Sequence, residues 1–183
     1  MKFLVRAAAC ILCILPAAFA SAAPNSTIEA RWQKHEINFA YMGFTSYYSC
    51  DGLEGKLKLL LRLAGARADA KVRVACTSLS GRPERSSMAL LKFYSLAAVA
   101  EGDSKPGAHA AAAGVWQEVA WHAGSPRELE GGDCELVEQF AQRILPAFAT
   151  RNVENHMNCV PHQANPWGID LRFSVLAPAP KPK

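Results

Sequence analysis

The chain has 183 residues, is half apolar and one fifth charged, and has a mean hydropathy of +0.01, a balance that fits a folded domain and excludes a disordered polyelectrolyte. Its formal charge of +4 falls to +2 without the N-terminal leader, which holds Lys2 and Arg6 and no acidic residue. So small a charge gives no electrostatic case for a nucleic-acid partner.

Lys2 and Arg6 precede an apolar run from Ala7 to Ala18, interrupted only by Cys10, Cys13 and Pro16, and Ala20-Ser21-Ala22 supplies a small-x-small cleavage site. This pattern predicts a signal peptide over residues 1–22. The run is too short for a stable membrane anchor, and no later segment is long and apolar enough to cross, so the mature protein is expected to be periplasmic or secreted. Cys13 follows Ile11-Leu12 rather than small residues, which argues against a lipoprotein. Cys50, Cys76, Cys134 and Cys159 remain after cleavage, and an even number in an oxidising compartment predicts two disulfides.

Ile37 to Tyr48 is rich in aromatic and β-branched residues and predicts a strand. Asp51 and Glu54 form a capping box for a helix with Leu53, Leu57, Leu60 and Leu61 at helical spacing and Gly65 as its C-cap. Lys71 to Cys76 alternates as a strand, Gly81-Arg82-Pro83 turns, and Met88 to Val99 is a further strand with Leu91 and Phe93 on one face. The same order then repeats. Val115 to His122 is a strand. Asp133 caps a helix with the stripe Val137, Phe140, Ala141, Ile144 and Leu145, which Pro146 ends. Val153 to Cys159 and Gly168 to Leu176 are strands on either side of a turn from Pro161 to Pro166.

The copies also share register. Cys50 and Cys134 sit at the helix starts and Cys76 and Cys159 near the ends of the next strands. Leu91-Lys92-Phe93-Tyr94-Ser95-Leu96-Ala97 matches Leu171-Arg172-Phe173-Ser174-Val175-Leu176-Ala177. This points to an internal duplication. The expected fold is α+β, two tandem βαββ units making a mainly antiparallel sheet with two helices on one face. The units span 23–100 and 115–176, joined by a linker over 101–114 and followed by a disordered Pro/Lys tail over 177–183, all in one compact domain. A helix of about 14 residues rises roughly 21 Å and a returning strand of about 7 residues covers roughly 23 Å. The strand therefore ends level with the helix start, which predicts Cys50–Cys76 and Cys134–Cys159.

No established catalytic motif occurs, no cofactor is implied, and the sequence gives no reason to propose an enzyme. His156, Cys159 and His162, three apart, are the best metal or thiol-redox candidate, opposed by the expected disulfide and by alternation along the strand. Phe39, Tyr41, Phe44, Tyr47 and Tyr48 read as sheet core with phenols at the rim. Trp116 and Trp121 have opposite parity, so one of them faces away from the core. Lys92 and Arg172 fall at matched places on the outer sheet face. Tyr47, Tyr48, Trp116, Trp121, Lys92 and Arg172 are therefore the candidate binding surface, with a groove between the copies as the natural ligand site. The expected role is a non-catalytic binding or accessory protein whose partner is an unidentified envelope component.

The stretch Tyr41-Met42-Gly43-Phe44-Thr45-Ser46-Tyr47-Tyr48-Ser49-Cys50-Asp51-Gly52-Leu53, followed by Leu63-Ala64-Gly65-Ala66-Arg67, resembles a family of uncharacterised exported proteins of proteobacterial type. The resemblance covers mainly the first unit. It implies a bacterial envelope setting and assigns no activity or catalytic residue.

Overall fold

The computed structural model describes residues 27–75, 82–99 and 111–180. The expected signal peptide, Cys76 and linker residues 101–110 lie outside the described residues. The elements run β1 (Ile28–Met42), α1 (Cys50–Leu63), β2 (Lys71–Ala75), β3 (Ser86–Ala98), β4 (Ala111–His122), α2 (Cys134–Arg143), β5 (Thr150–Asn155) and β6 (Asp170–Pro178). The fold is α+β: a six-stranded sheet in the order β2-β3-β1-β4-β6-β5, with every neighbouring pair antiparallel. Among the described residues no helix is long and apolar enough to cross a membrane.

Both helices cover one face. Leu53, Leu57, Leu60 and Leu61 of α1 and Leu136, Val137 and Phe140 of α2 join one buried cluster with Phe39, Leu91, Phe93, Trp121, Leu171 and Phe173 of the strands. This stripe of leucines is what the helical spacing of the sequence demands. Ser49, not Asp51, caps α1: its hydroxyl accepts from the Gly52 N–H at 3.2 Å. Asp51 instead places its charge in the first turn, where the helix dipole favours it. Gly65 just beyond α1 has φ of 88°, the left-handed conformation that ends helices and that glycine adopts without strain.

Several boundaries differ from the expectation. β1 begins at Ile28 rather than Ile37, because it buries opposite faces along its length. Ile37, Phe39 and Tyr41 point into the main core, whereas Ile28, Ala30 and Trp32 pack on the other face with Leu96, Trp116 and Leu176. The strand also stops at Met42, and the turn that follows requires glycine at 43, where a Cβ would collide with the Ser46 carbonyl oxygen. β4 begins at Ala111, inside the expected linker. Ala111 to Gly114 pair with Arg31 to Ile28, and their small side chains permit a tight seam: a Cβ at Gly114 would lie 2.8 Å from Leu176 Cδ1 and 3.2 Å from Ala30 Cβ. Finally, Ala177 and Pro178 belong to β6 rather than to a loose tail, and the Ala179 N–H donates to the Ala113 carbonyl at 2.9 Å. Pro178 is tolerated because its nitrogen faces the flank where β5 no longer runs.

Cys134 and Cys159 form a disulfide with Cα atoms 5.5 Å apart, the second of the expected staples. Cys159 lies four residues past the end of β5, not within the strand, because the chain leaves the sheet at Asn155. Cys50 is disulfide-bonded as well, and Cys76 lies outside the described residues.

Candidate binding groove on the open sheet face

Two places concentrate polar side chains. The first is where α2 meets residues 40–48. Asp133 and Glu135 are buried. The Glu135 carboxylate accepts from the N–H groups of Phe44 at 2.8 Å and Thr45 at 3.0 Å and from the Thr45 hydroxyl at 3.1 Å. The Asp133 carboxylate accepts from the Tyr48 phenol at 2.6 Å, the Lys56 ammonium at 2.7 Å and the Glu130 N–H at 2.8 Å. Gln139 exchanges two hydrogen bonds with the Met42 backbone, and the Arg143 guanidinium donates to the Ala40 carbonyl. Burial, reinforced by the charges of Glu135 and Asp133, pushes the Tyr41 phenol well above its ordinary range. Burial and Asp133 do the same to Tyr48. Both phenols therefore stay protonated, and Tyr48 serves as a fixed donor. Each acid is held by several donors, so this cluster is a latch between chain halves.

The residues singled out in sequence divide accordingly. Tyr48 belongs to the latch and Tyr47 is exposed beside it. Trp121 is fully buried against Phe140 and Phe173, while Trp116, of the other parity, faces outward on the open face. Lys92 lies 2.9 Å from Glu36 and Arg172 lies 3.4 Å from Asp170, so each matched cation meets a carboxylate. They stand on β3 and β6, with β1 and β4 between them. Cys159 is held by Cys134, so its sulfur offers no thiolate to join His156 and His162. The His156 N–H donates to the Asp170 carbonyl, and His162 packs edge-on against Phe44, with ring centroids 6.1 Å apart. Among the described residues no group of three or more His, Cys, Asp or Glu side chains could hold a metal ion. Trp167, which the sequence reading passed over, is 86% exposed.

The second place is a groove of about 820 Å³ on the face that no helix covers. Trp116 and Glu118 of β4, Arg151 of β5 and Ser174 of β6 line it, and it reaches Thr27 at the seam. The groove thus lies within the second half and touches the junction of the halves only at one end. A second depression of about 480 Å³ shares Glu118 and Ser174 with it. The Arg151 guanidinium carbon sits over the Trp116 indole, 4.3 Å from the ring centroid, a cation–π geometry that holds both flat surfaces at the groove. The strand register places Ser174 between Arg151 on one flank and Glu118 on the other. The groove therefore has an aromatic wall, a small hydroxyl on its floor, and opposite charges on its two sides.

The matching place in the first half is filled. Trp32 is the cross-strand partner of Leu96 as Trp116 is of Leu176. The Arg67 N–H donates to the Tyr94 carbonyl at 2.9 Å, and Arg151 is the strand partner of Ser174. The Arg67 guanidinium lies over the Tyr94 ring at 3.8 Å and 5.7 Å from the Trp32 ring. Its Nε and Nη2 donate to the Asp69 carboxylate at 2.7 and 2.6 Å, which holds that carboxyl below the usual range. Sequence reading missed Arg151, Glu118 and Ser174. The signal for Arg151 was one sequence interval, which separates Cys50 from Cys134, Trp32-Gln33 from Trp116-Gln117, and Arg67 from Arg151.

No family model, no curated protein and no solved structure matches this chain.

Proposed function

We propose that this protein is an exported, disulfide-stapled binding domain of the bacterial envelope. In this reading it is built from two copies of a βαββ unit and takes its ligand in the groove over Trp116. The observation that carries the reading is the Trp116–Arg151 pair beside a groove of about 820 Å³ on an uncovered sheet face. An indole, a guanidinium, a hydroxyl and a carboxylate around one concavity are recognition groups: they supply a flat apolar contact and directional charge.

Duplication is supported by the sheet. Exchanging β1 with β4, β2 with β5 and β3 with β6 leaves the strand order β2-β3-β1-β4-β6-β5 unchanged in reverse. At the seam, Glu29 pairs with Ala113, the residue one repeat interval away, so the contact has the self-complementary form of a two-fold interface. Export is supported by the leader pattern and by the oxidised state of Cys134 and Cys159. By the same logic the first staple joins Cys50 to Cys76.

A fragment screen by protein-observed NMR tests the reading. Hits are expected to shift the Trp116 indole and the amides of Gln117, Arg151 and Ser174. Hits confined to the α-helical side, or to the exposed Trp167, would place the binding function elsewhere.

A further inference from the structure

We infer that the groove takes an aromatic carboxylate: a planar ring standing over Ser174, with its acid group on the Arg151 guanidinium. This rests on the groove being a binding site and goes further, because the first half already contains the arrangement from its own residues. There, one guanidinium is stacked on a phenol ring, that of Tyr94, and doubly hydrogen-bonded to a carboxylate, that of Asp69. In the second half both partners are missing while the guanidinium and the indole are kept. Ser174 stands where Tyr94 stands, since each is the residue paired to the arginine. The segment after Arg151, which bulges before pairing resumes at Glu154, carries Asn152 and Val153 where the first half has Asp69. Among the described residues Arg151 makes no ion pair.

The geometry explains the occupied and open states together. With the phenol present, the arginine lies 3.8 Å from that ring and only 5.7 Å from the tryptophan. Without it, the arginine closes onto Trp116 at 4.3 Å. Ser174 lacks the ring that Tyr94 carries, and although it is itself buried it lines the groove on that side. A ring entering over Ser174 would draw Arg151 off Trp116 and onto itself, exchanging one cation–π contact for another. A planar carboxylate would then satisfy the guanidinium fork with two parallel hydrogen bonds. Orientation follows from the strand neighbours. Arg151 on β5 and Glu118 on β4 flank Ser174, so the acid end of the ligand faces β5, and the end towards β4 is neutral or donates a hydrogen bond.

The test uses ¹⁵N-labelled exported chain and the probe 3-(4-hydroxyphenyl)propionate, followed at the Trp116 indole N–H, which is assigned with Trp116→Phe. Saturable shifts of that signal are expected. The corresponding amide and the cyclohexyl analogue are expected to bind at least ten-fold more weakly, because each lacks one half of the recognition. Ser174→Tyr should supply the ring in cis and abolish binding. Arg151→Met, which keeps the stem and loses the fork, should weaken the acid to the level of the amide, and it serves as the second arm should the tyrosine impair folding. No shift at Trp116 with millimolar acid, or equal affinity for the acid, the amide and the cyclohexyl analogue, would overturn the inference. Fragment hits that still map to Trp116 and Ser174 would then leave the groove as a binding site for a different chemistry. An empty groove in both experiments would overturn both readings.

Discussion

The two halves of the molecule share an order of elements and differ on the open face. In each, an arginine, from the segment before β2 in the first half and from β5 itself in the second, reaches over a tryptophan on the open face. In the first half Tyr94 and Asp69 close that spot with two hydrogen bonds and a stacked ring. In the second those two partners are absent, and a groove is lined by Trp116, Arg151 and the buried Ser174. One half thus satisfies its own arginine, and the other leaves the corresponding arginine without those partners. Under the proposed duplication, such a site arises by removing a side chain whose partners remain in place. The open face contributes only a small second cluster beside the main core, so such a removal costs little stability.

The largest expected effect tests the equivalence of the scaffolds. Replacing Cys134 and Cys159 together by alanine should lower stability by about 3.5 kcal/mol in the chain-entropy account of a loop of this length. The Cys50/Cys76 double replacement should match it in denaturant unfolding, because the sequence interval is nearly the same. A clear inequality would mean that the halves are not stapled alike, and non-reducing peptide mapping would identify the bridges directly.

Next comes the latch, which has no duplicate. Asp133→Ala leaves the Tyr48 phenol and the Glu130 N–H without their acceptor and parts Lys56 from its counter-ion. The Lys56 ammonium is partly solvated, so the loss should be about 3 kcal/mol, at the low end for breaking a buried pair. The equivalent change at Ser49 removes only a helix cap and should cost about 1 kcal/mol. Urea unfolding of the two variants side by side measures the asymmetry.

A smaller effect sharpens the comparison from the other side. Tyr94→Ser should open a second groove in the first half at a cost of about 1 kcal/mol, the contribution of the stacked guanidinium. Combined with Asp69→Val, it should give a chain with two sites for whatever ligand the Trp116 groove takes. Calorimetric stoichiometry is the readout, and a single site in that variant would break the proposed equivalence.

The smallest effect is a pH dependence confined to the first half. His35 is stacked on Phe93, with ring centroids 5.0 Å apart, and its Nε2 lies 2.9 Å from the Ser95 hydroxyl, which itself donates to the Ala147 carbonyl. Burial lowers its pKa below the ordinary 6.5. The unfolded chain therefore binds the proton first, and stability is complete above about pH 6.5 and falls as the pH drops through and below that value. The equivalent position in β4, Val119, cannot titrate. His35→Phe should flatten the melting temperature between neutral and mildly acidic pH, and an unchanged slope would show that another group is responsible.

Residue patterns sufficed wherever one periodicity served one surface. The leucines of α1 could bury only one helical face, and Leu91, Phe93, Leu171 and Phe173 could bury only one strand face, so both elements and the core were legible. The pairing of Cys134 with Cys159 was expected from rises per residue, although α2 is shorter than that sum assumed and Cys159 lies beyond β5. Reading failed where one strand serves two surfaces. Ile28 to Trp32 alternate onto the open face and the later part of β1 onto the core, so a search for one buried face found only the second stretch. Ala111 to Gly114, by composition a linker, became strand because the seam needs small side chains.

The groove divides along the same line. Sequence alone determined that one of Trp116 and Trp121 must face outward, because alternation admits no other outcome. It also set Lys92 and Arg172 at matched places, but their carboxylate neighbours Glu36 and Asp170 became visible only once strands were paired. The strand match already set Ser174 against Tyr94, but tertiary structure alone decided that Arg151 lies over Trp116 and that each arginine meets that position. Those relations depend on the register between β4, β5 and β6, including the bulge after Arg151. A one-residue slip in such a register moves every side chain to the opposite face, so the register is settled where paired strands bury their faces together, as Trp121, Leu171 and Phe173 do.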